Sequence, residues 1–403
     1  MTKIESKFID FVQKHLPLIA FIVFTAMAVI LRIVCSGFES GDFRDFLTPW
    51  FDIIKGMGGD SLKTQVGNYN IPYQVMIYLM TLTPLTAIDA YKLLSVIFDF
   101  ALAVSCALVV KEYLKCKLFS VMPVMTYSAV LLSLTAVMNS SFWAQCDSIY
   151  TFFIIMAIWF TMRGKHIPAY VMLGVSLAFK LQMVFILPLF IYYTVSVRRT
   201  GLLHFLIIPA VDFLMCLPVV FFGRPISDII NIYVAQTDYG HQIQMNYPNL
   251  YAFICDGKDP TYYYLLKGFA VLLTLTVLAA GLFAILHKRV DLSDHRKLLM
   301  TAVWSVFTCL MFLPSMHERY AYLLDVLMLV MFFATRRHPF ATVLALLISL
   351  RGYASYLFNG YEVVTLGVAA VVNIGLYVWI SFLFIREVLT DSEVSFKLIK
   401  KTQ

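Results

Sequence analysis

The sequence predicts an all-α polytopic membrane protein with about twelve transmembrane helices, on three observations. Of 403 residues, 61% are hydrophobic and only 14% are charged, more apolar surface than a soluble chain buries. Apolar segments of about 20 residues recur throughout, the length an α-helix needs to cross the hydrocarbon core. The basic residues collect in alternate connections, as the positive-inside rule demands of a multi-pass chain.

The first span, 16–36, is too long for a cleavable signal, and no small-residue cleavage site follows it. Further spans are read near 90–110, 118–138, 149–162, 168–179, 183–197, 202–222, 261–286, 298–313, 320–334, 339–356 and 363–385. One side then holds Lys3, Lys7, Lys14; Lys111, Lys115, Lys117; Arg163, Lys165; Arg198, Arg199; Lys288, Arg289, Arg296, Lys297; Arg336, Arg337; and Arg386, Lys397, Lys400, Lys401. That is twenty of the 31 Lys and Arg residues, so this side, with both termini, is expected to be cytoplasmic. The net charge of +7 is then a topology signal and calls for no nucleic-acid partner.

The run from Ile71 to Leu85 is short and carries two prolines and two threonines. It is read as an amphipathic helix at the outer interface, within a first outer loop spanning 37–89. The short spans around 168–197 suggest a broken or re-entrant pair. The whole chain, 1–403, reads as a single integral membrane domain with a second outer loop at 223–260. Seven cysteines, odd in number and mostly within spans, suit packing better than disulfides. No P-loop, GxSxG or HExxH motif is present.

On this topology the unusual polar residues gather on the outer side. The loop 37–70 carries Glu39, Asp42, Asp45, Asp52 and Asp60. Asp42 follows Gly41 just beyond the first span and suits a general base. Asp45, three residues on, would share a face with it if the segment is helical, and is the fallback. A solvated loop with idle acids is the plainer alternative. In NSSFWAQCD (139–147), Trp143 offers a face for a sugar ring, while Gln145 and Asp147 offer hydrogen bonds to hydroxyls. An interfacial aromatic belt and helix capping by Asp147 explain the same residues. Lys180, in FKLQ with Gln182, binds a phosphate or snorkels. In MHERY, His317 and Arg319 suit a phosphate clamp, and a Glu318–Arg319 boundary ion pair is the alternative. His317 and Glu318 are adjacent, a poor spacing for a metal. Asp99, Asp212, Asp325 and Arg351 lie within spans and are read as partners between helices.

Together these pieces resemble the polyprenyl-phosphate-sugar-dependent glycosyltransferases of the GT-C fold. The branches they resemble most are the dolichyl-phosphate-glucose glucosyltransferases of asparagine-linked glycosylation and the bacterial relatives of the GPI-anchor mannosyltransferases. GDFRDFLTPWFDII is similar to the family's first-loop GD motif, and GNYNIPYQVMIY to the segment that ends that loop. SFWAQCDSIYTFF, FKLQMVFILP and PSMHERYAYLL are similar to later motifs in the same order.

The resemblance implies an inverting transfer of a hexose from a polyprenyl-phosphate carrier to an acceptor hydroxyl at the outer face of the cell membrane. Asp42, or Asp45 in its place, would be the base; Lys180, His317 and Arg319 would hold the donor phosphate. Asn70, Trp143, Gln145, Asp147, Gln182 and Glu318 would bind sugar or acceptor. No metal or other cofactor is implied. The acceptor would be a cell-envelope glycan, a glycolipid or a lipid-linked oligosaccharide, with membrane lipids around the protein, and the compact loops suggest a bacterial member. A twelve-helix secondary transporter or lipid-linked saccharide flippase is the competing class. It accounts less well for a polar cluster on one face, since transporters bind near the midplane. A lipid-binding or scaffolding membrane protein is a third reading, and it requires none of these motifs.

Overall fold

A computed structural model describes residues 1–237, 241–254, 262–358 and 360–392. Part of the 223–260 loop and the tail lysines Lys397, Lys400 and Lys401 lie outside the described residues. The helices are α1 (Lys3–Cys35), α2 (Thr48–Met57), α3 (Ile71–Thr81), α4 (Ala87–Leu114), α5 (Val121–Leu132), α6 (Leu134–Val137), α7 (Asp147–Met162) and α8 (His166–Phe179). They continue with α9 (Leu187–Val197), α10 (Ile207–Phe221), α11 (Ser227–Thr237), α12 (Tyr263–His287), α13 (His295–Phe312), α14 (Tyr322–Thr335), α15 (Pro339–Leu357) and α16 (Leu366–Leu383). The only strands among the described residues are the paired dipeptides Gln244–Met245 and Met316–His317, β1 and β2.

Each of the twelve segments read as crossings contains a helix. Among the described residues, six helices are long and apolar enough to span a bilayer: α1, α4, Leu202–Phe221, α12, α15 and Leu366–Leu389. A seventh is added if the pair Val121–Leu132 and Leu134–Phe142, bent by 45°, is one span. The protein is therefore a multi-pass membrane protein. The helices at 147–162, 166–179 and 181–197 are apolar but shorter, and α13 is buried on every side from Leu298 to Met311. Length and composition thus support six or seven crossings.

The chain forms two compact units. The first comprises Met1–Val184, Leu202–Gly240 and Tyr353–Tyr361. Its longest helix, α1, starts at a capping box: Thr2 Oγ1 accepts from Glu5 N–H and Glu5 Oε2 accepts from Thr2 N–H. In this unit α4 packs on α5 and α7, α7 on α8, and α8 on α10. Gly174 permits the last contact, because a Cβ there would stand 2.6 Å from the Val211 Cβ. Arg32 of α1 pairs with Asp99 of α4 at 2.8 Å, both buried, and Ser140 Oγ donates to the same carboxylate oxygen at 2.6 Å. Asp212 of α10 accepts from the Tyr233 hydroxyl at 2.9 Å.

α3 is too short to span. Ile71, Tyr73, Gln74 and Ile77 are buried on its inner side, and its exposed side, at Leu79 with Leu82 just beyond, is apolar as well. The helical run breaks at Lys180, whose backbone is extended between α8 and a 3₁₀ turn at Leu181–Ile186.

The second unit comprises Phe185–Gly201, His241–Gly352 and Glu362–Gln403, described as far as residue 392. α13 forms its centre, flanked by α9, α12, α14 and α16. Trp304 fits over Gly281, where a Cβ would come within 2.5 Å of the indole, and stacks on Phe384 at 4.3 Å. Asp325 of α14 accepts from Ser349 of α15 at 2.8 Å. Arg351 donates to Asn246 at 3.0 Å and to the Val364 carbonyl at 3.0 Å, and it pairs with Glu362. The in-span charges singled out from the sequence serve as partners between elements, as buried ionisable groups must.

Candidate active site

In the first unit the chain leaves α1 through 36–42, held by Lys92 of α4. The Lys92 ammonium donates to the carbonyls of Ser36 (2.7 Å) and Phe38 (2.5 Å). Ser40 Oγ accepts from Phe43 N–H at 3.1 Å and opens a π-helical turn, Phe43–Leu47. Asp42 sits at the head of that turn, half-buried. A second π-helical turn, Met138–Phe142, delivers Trp143. Such turns are rare and concentrate at functional sites.

Between Trp143 and Gln145 lies Ala144, a left-handed non-glycine residue (φ 60°). It turns the chain so that both neighbours reach one carboxylate oxygen. Trp143 Nε1 donates to Asp42 Oδ2 at 2.8 Å and Gln145 Nε2 donates to the same oxygen at 3.3 Å. Asp42 Oδ1 accepts from the hydroxyl of Tyr356, on the last turn of α15. The Gln145 amide is oriented from behind, its oxygen accepting from the Tyr69 hydroxyl at 2.6 Å. Its backbone carbonyl accepts from Ser95 Oγ at 2.7 Å. Tyr69 is seated beside Trp50, which packs over Gly67. Gly67 has φ +74°, and a Cβ would stand 2.6 Å from the indole, so only glycine suits this position. The result is a carboxylate aimed by three donors from two distant parts of the chain.

Asp147 forms a second centre. It is fully buried, pairs with Lys180 and accepts from Asn139 Nδ2 at 2.7 Å. Asn139 in turn donates to the Tyr353 hydroxyl at 3.0 Å. Lys180, 7% exposed, thus serves a buried ion pair here rather than snorkelling. Nearby Tyr73 is buried, and burial pushes its phenol well above the usual range, so it stays protonated.

Several residues chosen from the sequence do other work. Trp143, read as a platform for a sugar, is 0% exposed. Tyr356 covers its face at 4.3 Å and 15°, and Tyr353 meets it edge-on at 5.5 Å. Asn70, read as a sugar ligand, is buried. It donates to the Leu177 carbonyl (2.9 Å) and the Tyr233 hydroxyl (3.2 Å), and accepts from Gln236 (2.8 Å). These bonds fasten the end of the first loop to α8 and α11. Asp45 is exposed and Gln182 half-buried. Tyr356, on the last turn of α15, lay in no motif, and Tyr69 lies within GNYNIPYQVMIY but was not singled out there.

In the second unit, β1 and β2 run parallel, with Met245 opposite His317. Ser315 N–H donates to the Ile243 carbonyl at 2.7 Å, so the MHERY segment is tied to the 241–247 stretch. His317 is half-buried, 3.9 Å from Glu318 and 5.1 Å ring to ring from Tyr320. Glu318 is buried against Gly352, where a Cβ would stand 2.6 Å from the Glu318 Cβ. Arg319 is half-buried in the 3₁₀ turn Glu318–Ala321. Among the described residues, no three His, Cys, Asp or Glu side chains are grouped as a metal site.

No curated protein matches the chain. The model of glycosyltransferase family 87 matches residues 68–315, more than half of the 403 residues. The match takes in Trp143, Gln145, Asp147 and Lys180, and leaves Asp42 and His317–Arg319 outside it. On that match, the chain belongs to glycosyltransferase family 87 and is a membrane glycosyltransferase.

Proposed function

We propose that this glycosyltransferase, of the GT-C fold, moves a hexose from a polyprenyl-phosphate carrier to an acceptor hydroxyl at the extracytoplasmic face, with inversion and with Asp42 as general base. The observation that carries the reading is the half-buried Asp42 carboxylate, held by Trp143, Gln145 and Tyr356. A base contributes when its lone pair is aimed at the proton it removes. As the acceptor oxygen bonds to the anomeric carbon, its proton passes to Asp42. The bond from that carbon to the phosphate breaks, and the electron pair leaves on polyprenyl phosphate. A phosphate leaving group needs little protonation, so one carboxylate suffices where glycoside hydrolysis uses two. The lipid tail of such a donor never leaves the bilayer, which suits a catalyst embedded there.

Arg319 and His317 are proposed to bind the anionic phosphate, a role that rests on residue chemistry in the sequence. The acceptor is a cell-envelope glycan, glycolipid or lipid-linked oligosaccharide. Sidedness rests on the distribution of Lys and Arg.

The test is transfer itself. Purified protein is given a radiolabelled polyprenyl-phosphate hexose or the matching nucleotide hexose, with a lipid extract as acceptor. Label is expected to move from the first donor only. Transfer from the nucleotide sugar alone would overturn the donor class. In the same assay, an unchanged donor KM for Arg319→Ala would remove Arg319 from the phosphate site.

A further inference from the structure

We propose that the Tyr356 hydroxyl guards Asp42 against water, so that the donor is not hydrolysed before an acceptor arrives. The inference rests on the reading of Asp42 as the base, and the two oxygens of that carboxylate are not equivalent. Oδ2 accepts from Trp143 and Gln145, which are 0% and 1% exposed. Oδ1 accepts from Tyr356, which is 37% exposed. Oδ1 thus faces the most exposed of the three donors, and in this proposal it is assigned to the approaching substrate hydroxyl, with the phenol on one of its two lone pairs. A phenolic O–H donating to a carboxylate makes the contact that both an acceptor hydroxyl and a water molecule must make.

The phenol is held there by more than that bond, since its ring stacks on Trp143 at 4.3 Å and 15°. An acceptor brings binding energy from the rest of its structure with which to displace Tyr356; water brings none. Exclusion of water from a reactive centre is a common means of suppressing hydrolysis.

The suppressed reaction is defined. Water would give its proton to Asp42 while its oxygen bonds to the anomeric carbon. The carbon–oxygen bond to phosphate would break, and the products would be free hexose and polyprenyl phosphate.

Tyr356→Phe keeps the ring and its stack and removes only the O–H. The assay measures free hexose released without acceptor from short-chain polyprenyl phosphates bearing glucose, galactose or mannose, using the form that wild type transfers. Loss of a hydrogen bond to a charged group predicts a rise of roughly tenfold or more. Tyr356→Leu, which also removes the stack, should hydrolyse at least as fast. The rise should vanish in Asp42→Asn/Tyr356→Phe. Wild-type rates of hydrolysis in both Tyr356 variants would overturn the guard. A rise that survives the added Asp42→Asn would instead show that Asp42 is not the base.

Discussion

Asp42→Asn should lower sugar transfer by about 10²–10⁴-fold, the usual contribution of a positioned general base, while expression and donor binding persist. The substitution is nearly isosteric. Its amide oxygen can still accept from Trp143 and Gln145, and its NH₂ can donate to the Tyr356 oxygen, so the cluster keeps its shape with one bond reversed. What is lost is a lone pair able to take a proton and keep it. Asp45→Asn is the control: Asp45 is exposed on the π-helical turn, and its variant should turn over near the wild-type rate. Turnover rates and donor affinity, measured on both purified variants, decide the matter. Wild-type turnover in Asp42→Asn would sink the assignment, and a dead Asp45→Asn would move the role three residues along.

Lys180→Met should destabilise the protein by about 3–5 kcal/mol, because it strands a buried carboxylate. Asp147 is 0% exposed and its ion-pair partner is Lys180. Methionine fills the space of the lysine stem but brings no charge. Adding Asp147→Asn should restore most of the loss, since the second amide removes the stranded charge and still accepts from Asn139. Thermal unfolding midpoints in detergent read both variants. A Lys180→Met protein as stable as wild type but with weakened donor binding would return Lys180 to the phosphate.

Hydrophobicity and charge placed helices in all twelve expected segments, because a helix in lipid must satisfy its backbone internally and announce itself by length. The crossing count was less legible. α13 is apolar because it is buried inside the second unit, and burial in protein reads the same as exposure to lipid in a sequence window. Of the site, Asp42 and the Trp143–Asp147 loop were legible as polar residues where apolar ones were expected. Their mutual geometry was not. It depends on two π-helical turns and a left-handed alanine, none of which has a compositional signature. Tyr356 was missed because it lies 314 residues from Asp42 in a helix that otherwise reads as a span. Trp143 and Asn70 looked like ligands because aromatic and amide side chains in loops serve binding and packing alike; their burial separates the two.

The central claim is a single-displacement transfer with one carboxylate base, and the anomeric configuration of the product tests it most directly. Purified wild-type protein is supplied with a polyprenyl-phosphate hexose of defined anomeric configuration, and the new glycosidic linkage is read by NMR coupling constants. The account predicts that every linkage formed is of the opposite configuration to the donor. A product that retains the donor's configuration would require a second displacement and would contradict it.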